Sequence, residues 1–577
     1  LRMKKFLPIL LILAATLPAF ADVVPMSRAK ANAEQFLRQA DPARTPQLKL
    51  LFEEPKLTKA GPADPEYFIF ADDRGGFVIA GGDDTVPEIL GYSTSSTIPT
   101  QGMPENMKAW LEMWSRIVDG QRLSGAGAYQ PRPVRRGTSP KVLETALWDQ
   151  GDPYNRHCIE MGGKRAVTGC TATAAAIMMR YYKWPEKGTG TLPGYSVADP
   201  DTGKSYNIDP VELGRTYDWD LMPLTKYDGT WTEEQMEAVS WLMSDLGIMI
   251  QSEYSPSGTG ASIEDMKAGL VAHMHYDASM RLAYRQFYDA DKWIALLEDN
   301  IDRFGPIEYA GFPEDYSMGH AFVLSGYDEY DNFYINWGWS GSGNGYFVIP
   351  DFKEYVAGHR AILCAGKDAG GQAQEDLNIA NLGLSSPSSS FATGVPFTVS
   401  CTSVFNYSSA DFSGDLAFAK FDRDGRMVEV PVSGVGPVSI TAGYGINLNN
   451  WDCQISTPIL PGDYVALVYR SDRTPDWTPV GYDHEGMTVG KLAVGDTVFL
   501  DEIVSLEYNS SQGLLTVSFT ESASCELRKN GTPVTTGVAV KDNSVEIDAR
   551  QLPLASYTLH LERGKQTKDI TLKFGLK

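Results

Sequence analysis

Residues 166–185 read AVTGCTATAAAIMMRYYKWP. The run reads as a helix with sharp ends. Gly169 permits the turn into it, and Trp184-Pro185 closes it, so a helix is predicted from Cys170 to Lys183. Ala172, Ala174, Ala175, Ala176, Ile177, Met178 and Met179 make it apolar nearly all round, the pattern of a central buried helix. Small residues near its start let other chain segments approach closely. Its first residue is a cysteine. Most such cysteines are small buried hydrophobes. At a helix N-terminus, however, a thiol meets the positive end of the dipole and unpaired N–H groups, and both favour a nucleophilic thiolate. The cysteine's own N–H can also donate to a developing oxyanion.

A nucleophile needs a base, and seven histidines are available. His320 opens HAFVLSGYD (320–328), which reads with NFYINWGW (332–339) as two antiparallel strands. His320, Phe322 and Leu324 share one face of the first strand. Asn336 follows His320 by 16 positions, so a hairpin could bring the two side chains together. Its amide oxygen would then fix the imidazole for proton transfer. Trp337 and Trp339 could shield that pair from water. His157, beside Cys158 and 13 positions before Cys170, is the rival base, and it reads as a surface-loop residue.

The chain around this site is 577 residues long, enough for three or four domains. Its formal net charge of −23 argues against nucleic acid as a partner. Lys4 and Lys5 precede the apolar run Phe6 to Phe20, and Ala19-Phe20-Ala21 offers small residues for cleavage. Residues 1–21 therefore read as an export signal starting at Met3, and no later segment is long and apolar enough to span a membrane. Six widely spaced cysteines contain no CxxC pair, so no metal site and no cofactor is expected. Cys401 and Cys453 could form a bridge inside one β module.

Four regions follow the signal. Residues 22–136 hold a helix in VVPMSRAKANAEQFLRQ and two strands around Asp72 to Gly76. They also hold a helix whose Met107, Trp110, Trp114, Ile117 and Val118 form one stripe. This region ends in YQPRPVRRGTSPK (129–141), an exposed run suited to proteolytic cutting. Residues 137–366 place helices first and strands later. The joint GKDAGGQAQED (366–376) reads as exposed. About 210 residues of short alternating strands come after it, in two β-sandwich modules, 367–495 and 496–577.

Four separated motifs then resemble the streptopain/interpain family of secreted papain-like cysteine peptidases. They are LWDQGDPYN (147–155), TGCTATAAAIMMRYYKWP (168–185), GHAFVLSGYD (319–328) and FYINWGWSGSGNGYF (333–347), in that order. GGFVIAGGDDTVPEILGYS (75–93) resembles part of that family's prosegment. The resemblance implies an α+β papain-like catalytic domain at 137–366, behind an α+β inhibitory prodomain at 22–136. It makes Cys170 the nucleophile, His320 the general base and acid, and Asn336 the orienting residue. Gln150 supplies a side-chain N–H to the oxyanion hole, and Trp337 and Trp339 support the histidine and line the cleft. It implies protein or peptide substrates, a preference for an apolar residue two before the scissile bond, and the prodomain as intramolecular inhibitor. PIEYAGFPEDYSMGH (306–320) is expected to form part of the pocket wall. The alternatives are a thiol acyltransferase or amidase, and a non-catalytic surface protein in which the β modules act. All catalytic motifs precede residue 367, so a chain ending near Gly366 is expected to fold. Residues 496–577 weakly resemble a C-terminal sorting domain, with a stabilising or adhesive module as the alternative.

Overall fold

The structure is a computed structural model. It describes residues 22–131, 140–311, 319–481 and 490–574, less short gaps at 54–56, 59–60, 63, 100–101, 201, 286–287, 289, 351, 353–357, 409, 443, 461, 496–502, 510–513, 520–523, 530, 542–543, 553–554 and 564–565. The export signal and most of the proposed cutting run, 132–139, lie outside the described residues.

Six helices matter for the site: α1 (Met26–Ala40), α2 (Glu105–Ser124), α3 (Cys170–Tyr182), α4 (Glu233–Met249), α5 (Ile263–His273) and α6 (Ala290–Arg303). Eleven strands form one sheet. They are β1 (Leu48–Glu53), β2 (Tyr67–Asp72), β3 (Phe77–Gly81), β4 (Ile89–Ser93), β5 (Lys141–Val142), β6 (Arg281–Tyr284), β7 (Ile307–Gly311), β8 (His320–Tyr327), β9 (Phe333–Asn336), β10 (Gly345–Phe347) and β11 (Arg360–Leu363). Their order is β1-β2-β3-β4-β10-β9-β8-β7-β11-β6, with β5 on β8. The first four come from the N-terminal region and the rest from residues after 140. A single sheet therefore runs through both regions, joined where β4 pairs with β10 (Tyr92 opposite Tyr346, Gly91 opposite Phe347).

The sheet divides two cores. Ala321 and Val323 of β8 face a core shared with α3, α4 and α5. Phe322 and Leu324 face the other, shared with α2 and α6. This is the period of two expected of a strand buried on both faces. The stripe Met107, Trp110, Trp114, Ile117 and Val118 on α2 is wholly buried in the second core. α3 is buried over most of its length and ends where Lys183 turns left-handed at φ 48°. At its start, Gly169 has φ +87°, and a Cβ there would lie 2.8 Å from the Thr259 carbonyl oxygen. Glycine is the residue that both the dihedral and the contact admit.

Residues 377–494 form two sheets around one core, and residues 503–574 form two four-stranded sheets around another. Both are sandwiches in the sense of two packed sheets. Cys401 and Cys453 are buried free thiols, not a bridge. The register explains this: Cys401 lies opposite Leu448, whereas Cys453 lies opposite Phe397, four residues away along the same strand. The joint at 366–376 is largely exposed, as expected, yet its backbone is tied down. Asp277 Oδ2 accepts from the Ala369 N–H at 2.7 Å and the Gly371 N–H at 3.1 Å. The Asp368 N–H donates to the His275 carbonyl at 3.0 Å. Beyond it, the Tyr407 ring packs 4.1 Å from Tyr284 of β6, and Lys267 of α5 is buried with Asp376 and Glu264 as its neighbouring charges. The first sandwich is thus docked on the region that precedes it.

Candidate active site

Cys170 stands at the first position of α3. The loop before it is tied down from three sides. The Thr168 N–H donates to the Gln150 carbonyl at 3.1 Å and the Val167 N–H to the Ser255 carbonyl at 3.2 Å. Asn155 Nδ2 donates to the Ala166 carbonyl at 2.9 Å. Gln150 therefore lies beside the cysteine loop, buried, with its backbone anchored and its side-chain amide in no hydrogen bond among the described residues.

The thiol meets β8 directly. The Ala321 N–H donates to Cys170 Sγ at 3.4 Å. This brings the residue after His320 onto the sulfur. Burial nevertheless pushes the thiol above its ordinary range, and the nearby Glu308 adds to that, against the Ala321 and Thr171 hydrogen bonds. The helix N-terminus alone would have favoured the thiolate; desolvation wins here. Burial also pushes the His320 imidazole down, with Glu105 opposing. Both shifts disfavour the charged thiolate–imidazolium pair in this arrangement.

Glu105 belongs to α2, and the N-terminal region is pressed against the site. Asn106 Nδ2 donates to the Trp337 carbonyl at 2.7 Å and the Ala321 carbonyl at 3.3 Å. Met107 packs over Gly343, where a Cβ would meet its sulfur at 2.8 Å. The Gly343 N–H donates to the Thr97 carbonyl, and Ser96 Oγ to the Gly341 carbonyl. Strand alternation puts His320 on the Phe322 and Leu324 side, toward α2, while Cys170 packs with Ala321 and Val323 on the other.

Asn336 does not join His320 as expected. β9 pairs with β8 so that Asn336 lies opposite Val323, an odd number of residues from His320. Its side chain consequently shares the α3 side of the sheet. Nδ2 donates to Thr145 Oγ1 at 3.0 Å and the Ala146 carbonyl at 2.9 Å, and Oδ1 accepts from the Gly338 N–H at 3.1 Å. The amide ties the end of β9 to the 145–146 segment. Trp337 also differs from a cleft-lining ring. It is buried in the second core, 5.1 Å from Phe322 and 5.0 Å from Phe347, with Nε1 donating to the Gly343 carbonyl. It supports β8 through Phe322. Trp339 is half-buried against the same core. Among the described residues neither ring contacts His320. The rival His157 is engaged elsewhere: its Nε2 lies 2.8 Å from Glu237 Oε2 and its ring stacks on Trp241 at 3.5 Å. Of the stretch 306–320, residues 312–318 lie outside the described residues.

Two groups at the site escape the sequence patterns. Asn106, in PENMKAW, carries no local signal because its partners are more than 200 residues away. Glu308, in PIEYAG, is an acid in an otherwise apolar strand, and nothing local says that it lies near the thiol. No cluster able to hold a metal is found among the described residues.

Fold and site together describe a thiol enzyme under a folded N-terminal cover. Residues 148–347 match the Peptidase C10 family, and residues 21–118 match the Spi protease inhibitor family. The chain is 31% identical over 363 residues to the thiol protease/hemagglutinin PrtT of Porphyromonas gingivalis, covering 60% of this chain and 41% of that protein. It is 31% identical over 310 residues to streptopain of Streptococcus pyogenes, covering 50% of this chain and 75% of that protein. A prointerpain A fragment of Prevotella intermedia is 28% identical, with a TM-score of 0.45 over 55% of this chain and 98% of the fragment. The chain belongs to the peptidase C10 family of papain-like cysteine peptidases and carries an inhibitor-like prodomain ahead of the peptidase region. No helix among the described residues is long and apolar enough to cross a membrane.

Proposed function

We propose that this chain is the precursor of an exported cysteine endopeptidase that hydrolyses protein substrates through an acyl-enzyme on Cys170. The observation that carries the reading is the Ala321 N–H on Cys170 Sγ, which sets the start of the histidine strand against the thiol. His320 takes the thiol proton during attack and returns it to the leaving amine; water then releases the acyl group. The Cys170 N–H and the Gln150 side-chain amide stabilise the oxyanion. Gln150 suits this role because its backbone is anchored to the cysteine loop while its amide is unspent.

In the precursor the pair is unassembled. Asn106 holds the carbonyls of Ala321 and Trp337, and Glu105 is the charge that His320 meets. Removal of residues 22–136 then frees His320 to turn toward Cys170. Cys170→Ala tests the assignment. It should abolish peptide hydrolysis in the processed protein and leave folding intact, since alanine suits the helix start. Retained hydrolysis in that variant would remove the whole assignment.

A further inference from the structure

Both peptide groups of Gln150 are held. Its carbonyl accepts from the Thr168 N–H at 3.1 Å, in the loop that leads into Cys170. Its N–H donates to Oδ1 of the preceding Asp149 at 2.7 Å. The other carboxylate oxygen, Oδ2, accepts from Ser340 Oγ at 2.7 Å. Ser340 makes a second bond to the same segment, its N–H donating to the Trp148 carbonyl at 2.9 Å. One carboxylate therefore links the backbone of Gln150 to a serine far along the chain.

That serine stands in the segment 337–344, which joins β9 to β10. Gly338, Gly341 and Gly343 of this segment all have positive φ. Ser340 does too, at φ 53°, in the left-handed region that few residues other than glycine enter. A glycine would take that dihedral without steric cost. What the serine adds is the hydroxyl on Asp149, and backbone strain of this kind concentrates where the surroundings fix a residue for function. In the precursor the N-terminal region grips the neighbouring residues: Ser96 Oγ donates to the Gly341 carbonyl and the Gly343 N–H to the Thr97 carbonyl, each at 3.0 Å. Those bonds leave with the prodomain. The two from Ser340 to residues 148 and 149 lie within the peptidase region and stay.

We infer that Asp149 and Ser340 are positioning residues for the oxyanion hole. The Ser340 hydroxyl fixes the Asp149 carboxylate, and the carboxylate fixes the Gln150 N–H. With the Gln150 carbonyl held by Thr168, this sets the direction in which the Gln150 side-chain amide leaves the backbone. Neither residue touches the reacting atoms. A donor stabilises an oxyanion fully only when it is already aimed, so a small displacement costs rate. The inference rests on the peptidase reading above and on the place it gives Gln150.

The test uses processed wild type, Ser340→Gly, Asp149→Ala and Gln150→Ala, with two double variants that combine Gln150→Ala with each of the others. Ser340→Gly suits φ 53° and removes only the hydroxymethyl group, so it is expected to fold even if Asp149→Ala does not; melting temperatures check both. Each protein is assayed for kcat and KM on one peptide. Each is also assayed for the rate of thiol alkylation by iodoacetamide, which displaces iodide at a saturated carbon and forms no oxyanion. Gln150→Ala should lower kcat about a hundredfold. Ser340→Gly and Asp149→Ala should each lower kcat at least about tenfold, with KM and the alkylation rate within about twofold of wild type. On top of Gln150→Ala, either change should cost less than about twofold, because the residue it acts through is gone. Losses that multiply in the double variants overturn the inference. So do alkylation rates that fall in step with kcat, and so do single variants of wild-type kcat. A Gln150→Ala enzyme of wild-type kcat overturns the oxyanion assignment and this inference, and leaves Cys170 as the nucleophile. Wild type that cleaves no peptide overturns the peptidase reading itself.

Discussion

In the proposed mechanism Cys170 and His320 share one task, so removing either should cost the same, whereas Asn336 should behave differently. His320→Ala is expected to abolish hydrolysis with little change in melting temperature, because the imidazole makes no hydrogen bond among the described residues. Asn336→Ala is expected to destabilise by about 2 kcal/mol, since it strands Thr145 Oγ1 and the Ala146 carbonyl in the interior. Its activity should fall only in part. Paired measurements of melting and kcat/KM separate these outcomes; an Asn336→Ala protein of wild-type stability would contradict the role given to the amide. The places of Cys170 at a helix start and His320 at a strand start were legible because each is marked locally, one by a glycine before an alanine-rich helix and the other by a glycine before an apolar strand. The partners of Asn336 were not. They depend on register, and β8 carries an irregularity between Leu324 and Gly326 that no spacing rule reveals.

At the scale of elements, helices and hairpins were readable from periodicity and turn residues, as with Tyr67–Asp72 and Phe77–Gly81 around the 73–76 turn. The long-range joint was not. Nothing in ILGYS or GYF announces that β4 pairs with β10 and turns prodomain and peptidase into one sheet. Gly91 makes that joint possible, because a Cβ there would meet the Phe347 ring at 2.5 Å. Tyr92 fastens it: its ring stacks on Tyr346 at 5.1 Å and its hydroxyl donates to the buried Asp328 carboxylate at 2.9 Å. Tyr92→Phe keeps the stacking and loses the hydrogen bond, worth about 1.5–3 kcal/mol to a charged acceptor. A separately produced prodomain with this change should inhibit the processed enzyme about tenfold more weakly. Asn106→Ala should weaken it by a similar factor through the Ala321 and Trp337 carbonyls. Inhibition constants unchanged in both variants would mean that latency is held elsewhere.

For the whole molecule, the docked sandwich changes what truncation should do. The four matched motifs end before residue 367, but the sequence does not show that Asp277 pins the joint or that Tyr407 covers Tyr284. A chain ending at Gly366 should be less stable by about 2–3 kcal/mol for that lost aromatic burial, which melting curves would register. The Asp277 clasp has a defined pH range. Hydrogen bonds from Ser279, Ala369 and Gly371 hold its carboxyl down at about 2. Because the folded value lies below the ordinary one, its contribution is complete above about pH 4 and is lost as pH falls through 2. Asp277→Asn should therefore increase proteolysis at 366–376 at neutral pH, while wild type stays resistant from pH 5 to 9. The account's central claim is a single reactive thiol, concealed in the precursor. Burial pushes Cys158, Cys401 and Cys453 up to about 12, so these thiols should stay inert. The most direct measurement is the rate of labelling by an epoxide thiol inhibitor, before and after prodomain removal, with the modified residue mapped by mass spectrometry. The processed protein should take up one label, at Cys170, at least about a hundredfold faster than the precursor. Labelling at another cysteine, or equal rates in the two forms, would contradict it.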